Sequence, residues 1–156
     1  MQKITPMLWF DGQAQEAADF YVSVFKNSKT KSASHYDAAT AEASGNTAGS
    51  VMLVTFELEG QQFLALNGGP MFKFNESVSF VVNVDTQEEL DYFWDALRAD
   101  GGEESMCGWL KDKFGLSWQV TPRIVEELMG DPERCKRVMA ALMEMRKIDI
   151  ATLENA

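Results

Sequence analysis

SVSFVVNVDTQEELDYFWDALRADGG, residues 77–102, changes its hydrophobic period partway along. Ser77 to Val84 is rich in β-branched residues and reads as a strand. Thr86-Gln87-Glu88-Glu89 then sets a hydroxyl at a helix cap and a carboxylate three residues on, the capping-box pattern. Leu90, Phe93, Trp94 and Leu97 follow at i, i+3, i+4 and i+7, which is one apolar face of a helix, and Gly101-Gly102 ends it. The segment is a strand followed by a helix whose stripe must be covered by a sheet.

The same order stands upstream. Ala17, Phe20, Tyr21 and Val24 repeat the helical stripe after a short apolar strand, Ile4 to Phe10, and the punctuating pair Asp11-Gly12. Lys31 to Asp37 reads as an irregular strand and the small-residue stretch Ala38 to Gly49 as a flexible loop. Ser50 to Leu58 and Gln62 to Asn67 form a hairpin around Glu59-Gly60-Gln61. Downstream of the quoted stretch, Glu103 to Lys111 and Leu116 to Thr121 read as strands joined around Lys113-Phe114-Gly115. Two βαβββ modules result, module one over 2–69 and module two over 77–121, with one weakly signalled strand in the second. A helical tail follows over 122–156, in which Thr121-Pro122 and Asp131-Pro132 each place a capping residue before a proline at a first helical position. The second tail helix carries Cys135, Val138, Met139, Leu142 and Met145 on one stripe, to be covered by its own sheet or by a second subunit. The expected fold is a single-domain α+β protein.

Composition narrows the function classes. At 156 residues the chain is long enough for an ordinary core, and two cysteines are too few for a disulfide scaffold and not spaced as a metal clip, so they read as reduced thiols in a cytoplasmic protein. The apolar run in MQKITPMLWF is short and interrupted, unlike a signal peptide, and no other stretch is suited to spanning a bilayer. A formal net charge of -10 with scattered basic residues argues against nucleic acid as a partner.

PMLWFDGQAQEAADFY (6–21), FLALNGGPMFKFNESVSFVV (63–82), CGWLKDKFGLSWQV (107–120) and ALMEMRKIDIATLE (141–154) resemble the PhnB-like branch of the vicinal-oxygen-chelate superfamily, which includes glyoxalases and bleomycin-resistance proteins. Members often carry the label demethylubiquinone methyltransferase. Asn67-Gly68-Gly69-Pro70 is the only glycine-rich turn after a strand, and no helix pattern opens directly behind it, as a phosphate- or S-adenosylmethionine-binding turn needs. The resemblance implies that each module curls its sheet into half of an open barrel, that many relatives pair as homodimers, and that metal enzymes of the superfamily place one ligand on each of four strands. By motif those slots fall on Thr5, Ala65, Ser79 and Gln119, the last after the turn Asp112-Lys113-Phe114-Gly115. This set lacks imidazole and carboxylate, so no metal and no cofactor is expected.

Strand alternation extends the slots into a surface, because residues two apart share a face. If Gln119 faces a cavity, Ser117 and Thr121 join it, while Leu116, Trp118 and Val120 pack beneath the helices. Thr5, Met7 and Trp9, then Phe63, Ala65 and Asn67, then Ser79, Val81 and Asn83, then Cys107, Trp109 and Lys111 complete the expected face. Trp9, Phe63, Asn67, Ser79, Trp109 and Gln119 are the candidate ligand-binding residues: the two tryptophans stack on a planar small molecule or pack in the core, and the two amides orient it or satisfy nearby backbone. Cys107 is the candidate nucleophile, with Lys111 on its face as an activator, against a merely structural thiol. His35, next to Tyr36 and Asp37, reads as a loop histidine, Cys135 as core, and Trp94 and Trp118 as core. The function expected is metal-independent binding of a small molecule by a homodimer. The alternative is an enzyme, either a glyoxalase-like lyase or isomerase with atypical metal ligands or a Cys107-dependent catalyst.

Overall fold

The computed structural model describes residues 2–156. They divide into two compact units, one ending at Lys73 and the other spanning Phe74–Ala156. The first contains β1 (Met7–Phe10), α1 (Ala14–Val24), β2 (Lys29–His35), α2 (Ala38–Ser44), β3 (Val51–Leu58) and β4 (Gln61–Asn67). Its sheet runs β1-β4-β3-β2, with β1 parallel to β4 and the other pairs antiparallel. Ala14, Ala17, Ala18, Tyr21 and Val24 form the buried face of α1, and Tyr21 stacks on Phe56 at 6.3 Å, which stacks on Phe63 at 5.5 Å. The β3–β4 hairpin turns through Glu59 and Gly60 at φ 49° and 80°, the left-handed pair that a tight two-residue turn requires.

Residues 38–49, expected as a loop, begin instead with the helix α2. Asp37 caps it by accepting from Thr40 N at 2.7 Å, Thr40 Oγ1 accepts from Asp37 N at 3.0 Å, and Gly45 closes it in the left-handed conformation. Reciprocal capping and an alanine-rich run suffice for two turns without an apolar stripe.

The second unit repeats the plan with β5 (Ser79–Val84), α3 (Gln87–Arg98), β6 (Glu103–Glu104), β7 (Trp109–Lys111) and β8 (Ser117–Pro122) in the order β5-β8-β7-β6. Neither sheet closes on itself, so the expected α+β pair of βαβββ modules is present as two open four-stranded sheets. Leu90, Phe93, Trp94 and Leu97 are all buried on α3. Thr86 accepts from Glu89 N at 3.2 Å, and Glu89 reaches back to Asp85 N at 2.9 Å, one residue earlier than a strict capping box. The strand expected over 103–111 is two short strands parted by a turn through Cys107 and Gly108, at φ 59° and 81°. Any side chain on Gly108 would meet Ile148 Cδ1 at 2.8 Å and Val120 O at 3.0 Å.

The tail forms α4 (Ile124–Leu128), α5 (Pro132–Met143) and α6 (Ile150–Glu154). Asp131 caps α5 before Pro132 as the sequence implies, but Thr121-Pro122 closes β8 rather than opening a helix. Pro122 pairs opposite Val84 and Arg123 N donates to Val84 O at 2.9 Å, so the parallel ladder holds the proline where no N–H is needed. The tail packs on its own unit. Val138, Leu142, Ile148 and Leu153 are buried, and Gln87 both donates to Ile148 O at 3.1 Å and accepts from Ile150 N at 2.9 Å. Cys107 N and Gly108 N donate to Met145 O and Arg146 O, each at 2.8 Å. Cys135 is half-buried rather than core, while Met139 and Met143 stay exposed.

Candidate functional site

In the second unit β8 lies between β5 and β7, and alternation sends Trp118, Val120 and Pro122 to the buried face. Ser117, Gln119 and Thr121 therefore occupy the opposite, open face. Strand register aligns them with their neighbours: Lys111, Ser117 and Ser79 form one row, Trp109, Gln119 and Val81 the next, and Thr121 stands beside Asn83. Gln119 Nε2 donates to Ser79 Oγ at 2.9 Å. Trp109 and Gln119 are half-buried, and Val81 is 49% exposed. The open face thus carries one indole, an amide–hydroxyl pair and an exposed valine among further polar side chains, a mix that suits a small organic ligand with polar groups.

A depression of about 160 Å³ opens at one end of this face, lined by Glu76, Glu103, Glu104, Ser105, Trp109, Leu110, Lys111 and Ser117. Lys111 is ion-paired with Glu76, which comes from the chain before β5. The hydrogen bond to Glu76 and the attraction of that carboxylate raise the Lys111 ammonium above its usual 10.5, and the same bond holds Glu76 below the usual carboxylate range. Lys111 is thus engaged by Glu76. Cys107 lies in the turn ahead of β7, outside the strand, so it does not continue the Trp109–Lys111 face as expected.

β8 is aimed by a buried carboxylate in the Asp112-Lys113-Phe114-Gly115 turn. Asp112, 3% exposed, accepts from Phe114 N at 2.9 Å and Leu116 N at 3.1 Å through one oxygen, and from Trp118 Nε1 at 2.9 Å through the other. The Asp-x-x-Gly spacing was the available signal. For Glu76 there was none, because its approach to Lys111 is a tertiary contact of a loop.

In the first unit the expected alternation is half wrong. Trp9 and Met7 stand on the face of β1 opposite buried Leu8 and Phe10. Phe63, Ala65 and Asn67, expected on the open face with Trp9, point the other way, into the core beneath α1; Leu64 and Leu66 take the open side of β4. Asn67 has a structural task there. Its Oδ1 accepts from Ala14 N at 2.9 Å, capping α1 where Gln13 makes no side-chain cap, and its Nδ2 donates to Val51 O at 3.0 Å. Trp9 is seated on its own chain: Nε1 donates to Gly69 O at 2.8 Å, the ring meets Phe72 edge-on at 4.9 Å, and a Cβ on Gly68 would fall 2.3 Å from the indole. His35 ends an exposed β2.

The four ligand slots do not fit a transition metal. Ala65 is fully buried and carries no donor, Ser79 and Gln119 are bonded to each other, and Thr5 offers a hydroxyl. Among the described residues no group of three or more His, Cys, Asp or Glu is placed to hold a metal ion. The Gly68-Gly69 turn likewise does not fit a methyl-donor nucleotide, since Gly68 makes room for Trp9 and the chain runs on to β5 with no helix between.

Paired βαβββ units with a helix on one face of each sheet define the glyoxalase-like, vicinal-oxygen-chelate class of fold. The model of the family described as 3-demethylubiquinone-9 3-methyltransferase matches residues 2–121, and the chain belongs to that PhnB-like family. A PhnB protein from Bacillus cereus is 38% identical, with 78% of this chain and 99% of that one covered and a TM-score of 0.68. A Pseudomonas aeruginosa protein is similar at 21% identity, 78% and 98% coverage and a TM-score of 0.60. The fosfomycin resistance protein FosX from Listeria monocytogenes, solved with Mn(II) and sulfate, shares the fold at 15% identity, 81% and 98% coverage and a TM-score of 0.53. None of the curated proteins matches.

Proposed function

We propose that this chain is a metal-independent small-molecule-binding protein whose ligand sits on the open face of β5, β8 and β7, against Trp109 and oriented by Gln119 and Ser79. The observation that carries this reading is the Gln119–Ser79 pair, an amide and a hydroxyl bonded across two strands beside a half-buried indole. Such a pair has donor and acceptor capacity left over for a ligand carbonyl or hydroxyl. Family membership supports a small-molecule fold, and the donor-poor slots support metal independence. The reading includes a cytoplasmic homodimer, supported by two free cysteines and by exposed Met7, Val81, Met139 and Met143. Light scattering at high micromolar concentration should give twice the chain mass, and a monomer mass ends that part. Gln119→Leu tests the site itself: it should change which ligand co-purifies, and an unchanged ligand set refutes the assignment.

A further inference from the structure

We propose that the depression beside Trp109 seats a small organic monocation, an alkylammonium or guanidinium group, held by Glu103 and the Ser117 hydroxyl over the indole. This deepens the small-molecule reading and rests on it. The lining holds three carboxylates, Glu76, Glu103 and Glu104, against one ammonium, Lys111. Two of the three are already engaged within the protein: Glu76 with Lys111, and Glu104 with Arg98 at 3.3 Å and Trp94 Nε1 at 3.2 Å. Glu103 makes no ion pair at salt-bridge distance among the described residues; it stands opposite Lys111 across β6 and β7, and its charge acts on that ammonium from there. An anion would meet this excess of negative charge, and a neutral guest would leave it unused.

The second observation is independent of charge. Ser117 is 1% exposed, lines the same depression, and its Oγ has no hydrogen-bond partner among the described residues. Buried hydroxyls are rarely left unpaired, because burial strips their water without replacement. An ammonium or guanidinium carries donors alone, which the Ser117 oxygen and the Glu103 carboxylate can both accept, leaving the Ser117 O–H free to turn to a carboxylate of the lining. Trp109 lines the same depression, and an indole attracts cations to its face. The volume, about 160 Å³, equals roughly five waters at about 30 Å³ each, which suits a guest of a few heavy atoms.

The test titrates the full chain with n-butylammonium, butan-1-ol and butyrate at constant ionic strength, read at the Trp109 indole N–H resonance assigned with Trp109→Phe. Butylammonium should shift it saturably and bind at least about fivefold more tightly than butanol, with butyrate inert. Glu103→Gln should weaken butylammonium by about fivefold, the upper end for an exposed charge pair, and Ser117→Ala should weaken it while leaving the chain folded. Glu42→Gln, on α2, should change nothing. Equal binding of butanol and butylammonium, or an unaltered affinity in Glu103→Gln, overturns the cation while leaving Trp109 as a small-molecule seat. No saturable shift from any probe also overturns it, and the ligand co-purifying with the parent then judges the broader reading separately.

Discussion

Replacing Asp112 by asparagine isolates the device that aims β8. The variant keeps one carbonyl oxygen for Phe114 N and Leu116 N, at 2.9 and 3.1 Å, but turns an amide NH2 toward Trp118 Nε1, which stands 2.9 Å from the second oxygen. Two donors then face each other in a site where Asp112 is 3% and Trp118 also 3% exposed. A hydrogen bond to a charged group contributes about 1.5–3 kcal/mol, and the orphaned indole N–H adds to the loss, so Asp112→Asn should cost about 2–3 kcal/mol. For a chain of this length that lowers Tm by roughly 5–10 °C. Urea unfolding followed by far-ultraviolet circular dichroism measures it without relying on tryptophan emission. Trp118→Phe removes the opposing donor, so in that background Asp112→Asn should cost about 1–2 kcal/mol less than in the parent. Asp112→Asn within about 0.5 kcal/mol of the parent, or strict additivity with Trp118→Phe, would refute the reasoning.

Gly68→Ala should cost about 1–3 kcal/mol by overpacking against Trp9, whose indole lies 2.3 Å from the added Cβ, and should shift the Trp9 emission; unchanged stability and emission would show that the indole does not rest there. The tail should loosen in acid: Asp91 is held below its ordinary 3.8 by its hydrogen bond from Gln87 and then by Lys147, and Asp149 by its bonds to Thr152. Depressed carboxylates stabilise the folded form above the ordinary value, and that contribution disappears as pH falls through the lower folded value. Amide exchange of Ile150 and Gly108 should therefore quicken as pH drops below about 4 after correction for intrinsic rates, less so in Lys147→Met, and equal acid sensitivity of the two proteins would count against it.

Much of the fold was legible because helix stripes are period signals that tertiary context seldom reverses. Ala17, Tyr21 and Val24, and Leu90, Phe93, Trp94 and Leu97, are buried as their spacing implies, while Phe20 of the first stripe is only half-buried. Most of the open face of the second unit was legible too, since the Asp112–Gly115 turn pins the register of β8 and β5 and β7 follow by parity, Cys107 alone being carried off the face by the turn ahead of β7. In the first unit parity failed on β4. Phe63, Leu64, Ala65 and Leu66 are apolar in succession, so alternation carries no sign there, and the polar Asn67 is turned inward by the need to cap α1. The helix α2 lacked an apolar stripe and showed itself only through Asp37, Thr40 and Gly45. Glu76 and the orphaned Ser117 hydroxyl belong to contacts made by folding, which neither spacing nor composition encodes.

Native mass spectrometry of the freshly purified chain and its Gln119→Leu variant decides whether Gln119 orients a bound ligand. The parent should carry a bound organic molecule and no stoichiometric metal, and the variant should lose or replace that molecule. The same adduct on both proteins, or a stoichiometric metal ion on the parent, would contradict it.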